Sequence, residues 1–444
     1  MRTVFHGKRF FRPGRTLAAT LAAVALGACG SPAGRSDASA QGAAASSLVV
    51  TSTTSAVPAA ASGSSTEPVA ISFSGATQGL LLVRSCSKST CTAWVQITSD
   101  GGKAWNPTPA FVTYPATDYI KVRGVEIENP APDPNRFGVD ALVTGSAGNG
   151  WAYGPGLFVT HDGGQQFSRE KVSADVIGVA AVGGQVWVLE QRCFLIKHPN
   201  YTTTGCARSI LLTGPEGGDS LKPVADQPPG FVLAAGYEPG VQFPAEIVGA
   251  GSGLDVLAGV FGLDTTTNGG RTWQLARYPC RAPYISAGWT PGSVAIDPSG
   301  SLWTICGGMF GNPYPGMQPK ELWRSSDAGR SWVGPTQLAS LGYADSVAAV
   351  SATTAWSYGD RAPLYHSTDG GHTWTTMLTK VFNWGTGGPR GFSAVGPEDA
   401  WAVTSQGEDT SVLLEVFGTT DGGRTWFSVS FNPGSSGSSR GLAF

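Results

Sequence analysis

HSTDGGHTW, residues 366–374, is the stretch on which the fold of this chain turns. The same string recurs as ITSDGGKAW (97–105), VTHDGGQQF (159–167), TTTNGGRTW (265–273), RSSDAGRSW (324–332) and GTTDGGRTW (418–426). Its acid or amide is Asp100, Asp162, Asn268, Asp327, Asp369 or Asp421, and the gaps between these are 62, 106, 59, 42 and 52 residues. The 106-residue gap holds a weaker copy, LLTGPEGGDSL (211–221), with Glu216 in the Asp place and Leu221 in the Trp place. The gaps then run 62, 54, 52, 59, 42 and 52, which makes seven units of about 50 residues.

The string is built for a tight turn between two strands. A short carboxylate or carboxamide accepts backbone N–H groups a few residues on, as in an Asx-turn. Glycine supplies the positive φ that such a turn needs. The aromatic five residues after the acid enters the next strand and is expected to pack inward. Around each copy the chain repeats strand, turn, strand with Trp, strand, string, strand. The sixth unit reads SVAAVSA, TAWSYG, PLYHST, DGG, HTWTTML, and the seventh reads GFSAVGP, DAWAVTS, LLEVFGTT, DGG, RTWFSVS. Trp151, Trp187, Trp303, Trp356 and Trp401 recur at one place in the second strands, the pattern of packing between neighbouring units.

This string resembles the Asp-box of bacterial sialidases, propeller xyloglucanases, sortilin-type receptors and photosystem II assembly-factor-like proteins. The resemblance implies an all-β fold, a seven-bladed β-propeller, with each box between the third and fourth strands of a blade. Two boundaries stay open. Residues 69–110 already hold four strands, yet the tail RGLAF (440–444) looks like a blade's opening strand. Residues 111–139 read either as an insertion or as the first strand of the second unit.

Residues 1–29 read as an export address. Arg2, Lys8, Arg9, Arg12 and Arg15 precede an uncharged stretch, Thr16 to Ala28, too short to span a bilayer. It ends in Leu26-Gly27-Ala28-Cys29, which resembles the lipobox of bacterial lipoproteins and would make Cys29 the lipid acceptor. The alternative is an ordinary cleaved signal with Cys29 incidental. Residues 30–67 are rich in Ala, Gly, Ser and Thr and read as a disordered linker, about 30–35 Å r.m.s. in span. The propeller is expected over 68–444, outside the cytoplasmic membrane and held to its outer face.

Six further cysteines, Cys86, Cys91, Cys193, Cys206, Cys280 and Cys306, suit disulfides in an exported chain. Sequence-neighbour pairing is one of fifteen arrangements. None has the paired spacing of a zinc site, so no metal is expected. Net charge is −2 with no basic run, which argues against nucleic acid. No phosphate or dinucleotide motif appears, and no cofactor is expected.

Strand alternation puts two-to-three loops and unit-to-unit connections on the face opposite the boxes. All six cysteines fall near that face, with Cys306 expected in the fifth unit's two-to-three loop. Long aromatic loops collect there too, and Tyr284, Phe310, Tyr314, Arg361, Trp384 and Arg390 are the candidate binding residues. The competing reading is that these side chains plug the central channel. A sialidase-like site would carry an R-I-P string before the first box. Here only Arg84, in LLVRSCS, lies nearby, and carboxylates to pair for hydrolysis are sparse (Glu238, Asp360, Asp133). The chain therefore reads as a non-catalytic, membrane-anchored binding or scaffold propeller for a protein or cell-surface glycan. A divergent sialidase-like glycoside hydrolase is the alternative.

Overall fold

Second strands carry runs buried on both sides, as in Gly79–Cys86 (GLLLVRSC), whose first five residues are all buried, and Gln185–Gln191, buried from 186 to 190. A strand apolar on both sides is covered on both sides, so these sheets must stack face to face. The computed structural model describes residues 65–87, 89–115, 119–122, 125–128, 139–191, 193–197, 202–206, 209–218, 220–229, 246–249, 255–259, 262–280, 289–308, 320–338, 343–360, 363–377, 389–406, 413–429 and 440–442. These residues form strands and turns, with no helix among them.

Among the described residues, seven antiparallel sheets of four or five strands follow in chain order. Their opening strands are Ser65–Phe73, Ala141–Thr144, Asp175–Val182, Glu246–Gly249, Trp289–Ile296, Tyr343–Ala349 and Pro389–Ala394. Consecutive sheets touch mainly through these strands, and the seventh returns to touch the first. A closed ring of four-stranded antiparallel sheets with opening strands innermost is a β-propeller.

Trp151, Trp187, Trp303, Trp356 and Trp401 are each at most 2% exposed. Each lies across its own sheet from the residue three before the box acid, as in Trp401↔Gly418 and Trp356↔His366. The opposite side of the ring packs on the next unit's box. A Cβ added to Gly270 would sit 2.7 Å from Trp187, one on Gly371 2.9 Å from Trp303, and one on Gly423 3.2 Å from Trp356. The box glycine thus serves the turn and also leaves room for the preceding unit's indole.

The seam between the seventh and first sheets carries extra bonds. Trp401 Nε1 donates to Gly101 O (2.8 Å), and its ring stacks on Phe73 with centroids 3.4 Å apart. Phe73 N donates to Ser393 Oγ (3.0 Å), and at the next seam, between the first and second sheets, Thr144 N donates to Ser72 Oγ (3.0 Å). The tail strand Arg440–Leu442 plays no part in the opening strand's ladder. It pairs with Trp426–Val429 as a fifth, outermost strand of the seventh sheet, so the expected likeness to an opening strand is corrected. The first sheet supplies all its own strands, and the ring is closed by packing.

The ambiguous stretch after the first box is divided. Asn106–Pro107 and Val112–Pro115 both pair with Thr90–Thr98, so the first sheet's outer edge is split by Thr108 to Phe111. Tyr119–Val122 and Val125–Glu128 make a separate hairpin, and the second sheet opens at Ala141. The first strand also takes in Ser65, Thr66 and Glu67 from the stretch read as linker.

Candidate binding face

Six of the seven third-to-fourth turns share one hydrogen-bond set. The acid or amide Oδ1 of Asp100, Asp162, Asn268, Asp327, Asp369 and Asp421 accepts the hydroxyl two residues before it, at 2.8–3.0 Å. It also accepts the backbone N–H four residues after it, at 2.8–3.0 Å. The hydroxyl in turn accepts the N–H of the second turn residue, Gly in every case. These hydroxyls, Thr98, Thr160, Thr266, Ser325, Ser367 and Thr419, are at most 2% exposed. A Ser or Thr two residues before the acid stands in all six strings, a signal the sequence reading passed over. Three hydrogen bonds from Ser331 Oγ and N and Ser325 Oγ hold the Asp327 carboxyl at about 2. Asp369 is likewise held at about 2 by Thr373 and Ser367.

The third unit departs from the set because Gly214 stands where the hydroxyl should be. Glu216 sits between the third and fourth strands, but it is 5% exposed and accepts the N–H of Ser146 in the second sheet's turn. It bridges two sheets where the other six close their own turns. The box aromatics also differ from expectation. Trp426 is buried, whereas Trp105, Phe167, Trp273, Trp332 and Trp374 are half-buried; Phe167 stacks on Phe111 of the preceding sheet at 4.6 Å, while Trp273 meets its preceding sheet edge-on. Trp273 meets Trp187 in this way, at 6.0 Å and 77°.

Box turns are tied to the one-to-two turns of the same sheet, as in Gly422 N→Glu398 O and Gly370 N→Thr353 O. One face is therefore made of short, self-satisfied turns. The opposite face holds the disulfides. Cys86 and Cys91 are bonded where the first sheet's second and third strands meet, with Cα atoms 4.0 Å apart. Cys280 is bonded to Cys306, with Cα atoms 5.5 Å apart. Cys306 lies inside the strand Leu302–Gly308 and is fully buried, which corrects its expected place in a loop: the strand runs on past it to Gly308. Cys193 and Cys206 stand directly opposite each other in an added hairpin between the third sheet's second and third strands.

Near the first disulfide lies a charge cluster absent from the sequence reading. Arg84 Nε donates to Glu67 Oε1 (3.1 Å), and Arg84 Nη1 donates to Asp140 Oδ1 (3.3 Å). Burial opposes the charge on Arg84, but the hydrogen bonds and charges of Glu67 and Tyr114 together outweigh it and the guanidinium pKa goes up. Burial pushes the Tyr114 phenol up, against the pull of Arg84. In sequence Arg84 is only the arginine that lies near the first box, yet it links the first sheet to the start of the second. Glu67 and Arg84 face each other across the first sheet's opening strands, and packing of the second sheet on the first brings Asp140 to them.

Tyr284, Phe310, Tyr314, Arg361 and Trp384 lie outside the described residues, as does Cys29. Arg390 is placed by its backbone alone, on Pro389–Ala394 at the start of the seventh sheet. Among the described residues no group of three or more His, Cys, Asp or Glu could hold a metal ion.

No protein-family model matches the chain, and no curated protein matches it. Solved structures are similar at low identity. "YCF48 bound to D1 peptide" is 17% identical, covers 78% of this chain and 95% of its own, and superposes with a TM-score of 0.47. A GH74 xyloglucanase from Xanthomonas campestris is 13% identical with a TM-score of 0.46, over 82% of this chain and 52% of the enzyme. A PL25 ulvan lyase bound to its saccharide is 10% identical with a TM-score of 0.43, over 85% and 95%.

Proposed function

We propose that this chain is a non-catalytic propeller that recognises a protein partner through the face opposite its box turns. The seven described sheets are taken as the complete ring. The observation that carries the reading is the contrast between faces. One is closed by short turns bonded to themselves, and the other bears both described disulfides and the ends of the long aromatic loops. Cross-links at strand ends limit loop motion and so lower the ordering cost of binding. Two carboxylates described near that face, Glu67 and Asp140, are both engaged by Arg84, which suits structure better than hydrolysis.

Cys29 carries the lipid in this reading, the segment after it is the tether, and the propeller works on the outer side of the cytoplasmic membrane. The test is affinity recovery of the full chain from intact cells beside a Trp384→Ala/Arg390→Ala variant. A protein recovered with the parent and lost with the variant supports the reading. Recovery of glycan alone, or release of sugar from cell-surface polymer, overturns it in favour of a hydrolase or lectin. Membrane release of a Cys29→Ala variant tests the anchor separately.

A further inference from the structure

We propose that the cleft between the outer ends of the fifth and sixth sheets takes the carboxylate of an acidic side chain in an extended peptide, with Arg324 as its anchor. The cleft has a volume of about 410 Å³, and its walls include Leu322, Arg324, Ser326, Val333, Pro335 and His372. It opens at the box-turn end of the ring and is independent of the loop-face reading.

Arg324 sits on the third strand of the fifth sheet, directly across from Trp303. Its Cζ lies 4.3 Å from the centre of that ring, a cation–π contact that holds the guanidinium against the indole. Its Nε is buried and has no hydrogen-bond partner among the described residues. The nearest acid, Asp297, is fully buried, and its Oδ2 is 3.9 Å from Arg324 Nη2, beyond hydrogen-bonding reach. That carboxylate already accepts Ser299 N, Ser299 Oγ, Ser301 N and Trp303 Nε1. Among the described residues no hydrogen bond to the guanidinium is made by this occupied carboxylate, which leaves the Arg324 Nη groups able to take a second carboxylate. Leu322, Val333 and Pro335 offer apolar walls for the stem that bears it.

Two observations favour a peptide over an acidic sugar. Among the described residues no Trp, Tyr or Phe lines the cleft to stack on a sugar ring. The outer strand beside it, Val333–Leu338, has six residues against two to four in the other outer strands that carry no added strand, and Val333 is 73% exposed. The chain itself shows that an outer edge of this ring accepts another strand, since Arg440–Leu442 pairs there on the seventh sheet.

The test follows the arginine Nε–Hε resonances of the full chain by NMR, with Arg324 assigned from an Arg324→Lys variant. The probes are acetyl-Val-Glu-Val-Thr-amide, its Gln counterpart, glucuronate and inorganic sulfate. The Glu peptide is expected to shift the Arg324 resonance saturably, and the Gln peptide to bind roughly 10–100-fold more weakly. Arg324→Lys should lose a similar factor, because a point charge cannot replace the fork. Val333→Asp, at an exposed site, should weaken the Glu peptide without changing thermal stability. Equal binding of the Gln peptide, no saturable shift, or unchanged affinity in Val333→Asp overturns the proposal. Glucuronate or sulfate binding as tightly as the Glu peptide overturns it too, in favour of a plain anion site.

Discussion

Gly269 and Gly270 are neighbours in one turn, and replacing each with alanine separates two costs that the box glycines combine. Their φ angles are +69° and +77°, so both substitutions place a Cβ in the left-handed region, at about 1–2 kcal/mol. Loss of freedom in the unfolded chain returns about 0.4–1 kcal/mol to each. The surroundings differ. A Cβ on Gly269 meets only Gln185 Oε1 at 3.8 Å, whereas one on Gly270 meets Trp187 at 2.7 and 3.0 Å. Overpacking against a ring that is 1% exposed adds about 1–3 kcal/mol. Gly269→Ala should therefore cost about 1 kcal/mol, and Gly270→Ala about 2–4 kcal/mol. The fifth unit offers a natural control, since Ala328 already occupies the first glycine place at φ 59°. Urea unfolding of both variants measures the difference, and Trp187→Leu in the Gly270→Ala background should recover part of the loss. Equal costs for the two glycines, or no coupling to Trp187, would refute the view that the second glycine exists to admit the neighbouring indole.

Other expectations concern the seam and the titrating groups. Ser393→Ala leaves Phe73 N without its acceptor and should cost about 1–3 kcal/mol in urea unfolding, more than the same change at exposed Ser326. His366 is stacked on Trp356 at 3.8 Å, and burial holds its pKa below the ordinary 6.5, with Arg424 acting in the same direction. The unfolded chain therefore takes up a proton first, and stability should fall as pH drops below about 6.5, a slope that His366→Phe reduces. The box carboxyls behave in the depressed sense. Asp327 and Asp369, at about 2 against an ordinary 3.8, stabilise above that ordinary value and lose the contribution as pH falls toward 2. An Asp369→Asn variant should still fold, as Asn268 does this work in the fourth unit, but with a shallower acid limb in a pH series of unfolding curves.

What could be read from the sequence was what local chemistry determines. A turn that closes within eight residues leaves its donors and acceptors in one string, so the boxes, the strand order and the second-strand tryptophans were all legible. Features that depend on ring closure were not. Glu216 looked like a substitute for Asp, but with Gly214 in place of the hydroxyl its carboxylate reaches Ser146 in another sheet. Residues 440–442 look like an opening strand and pair as an outermost one, because the first sheet already has its own opening strand at Ser65–Phe73. The candidate binding face was read only in part: its disulfide Cys86–Cys91 follows from proximity in sequence, while the bond from Arg84 to Asp140 spans 56 residues.

The account stands most directly on which face meets a partner. Photocrosslinking in intact cells from a reactive residue at position 384, beside one at the exposed box-face Lys103, tests that claim. A discrete protein adduct from position 384 and none from position 103, which belongs to the first sheet and not to the cleft of the fifth and sixth, is the result the account predicts. An adduct from position 103 alone, or none from either, would contradict it.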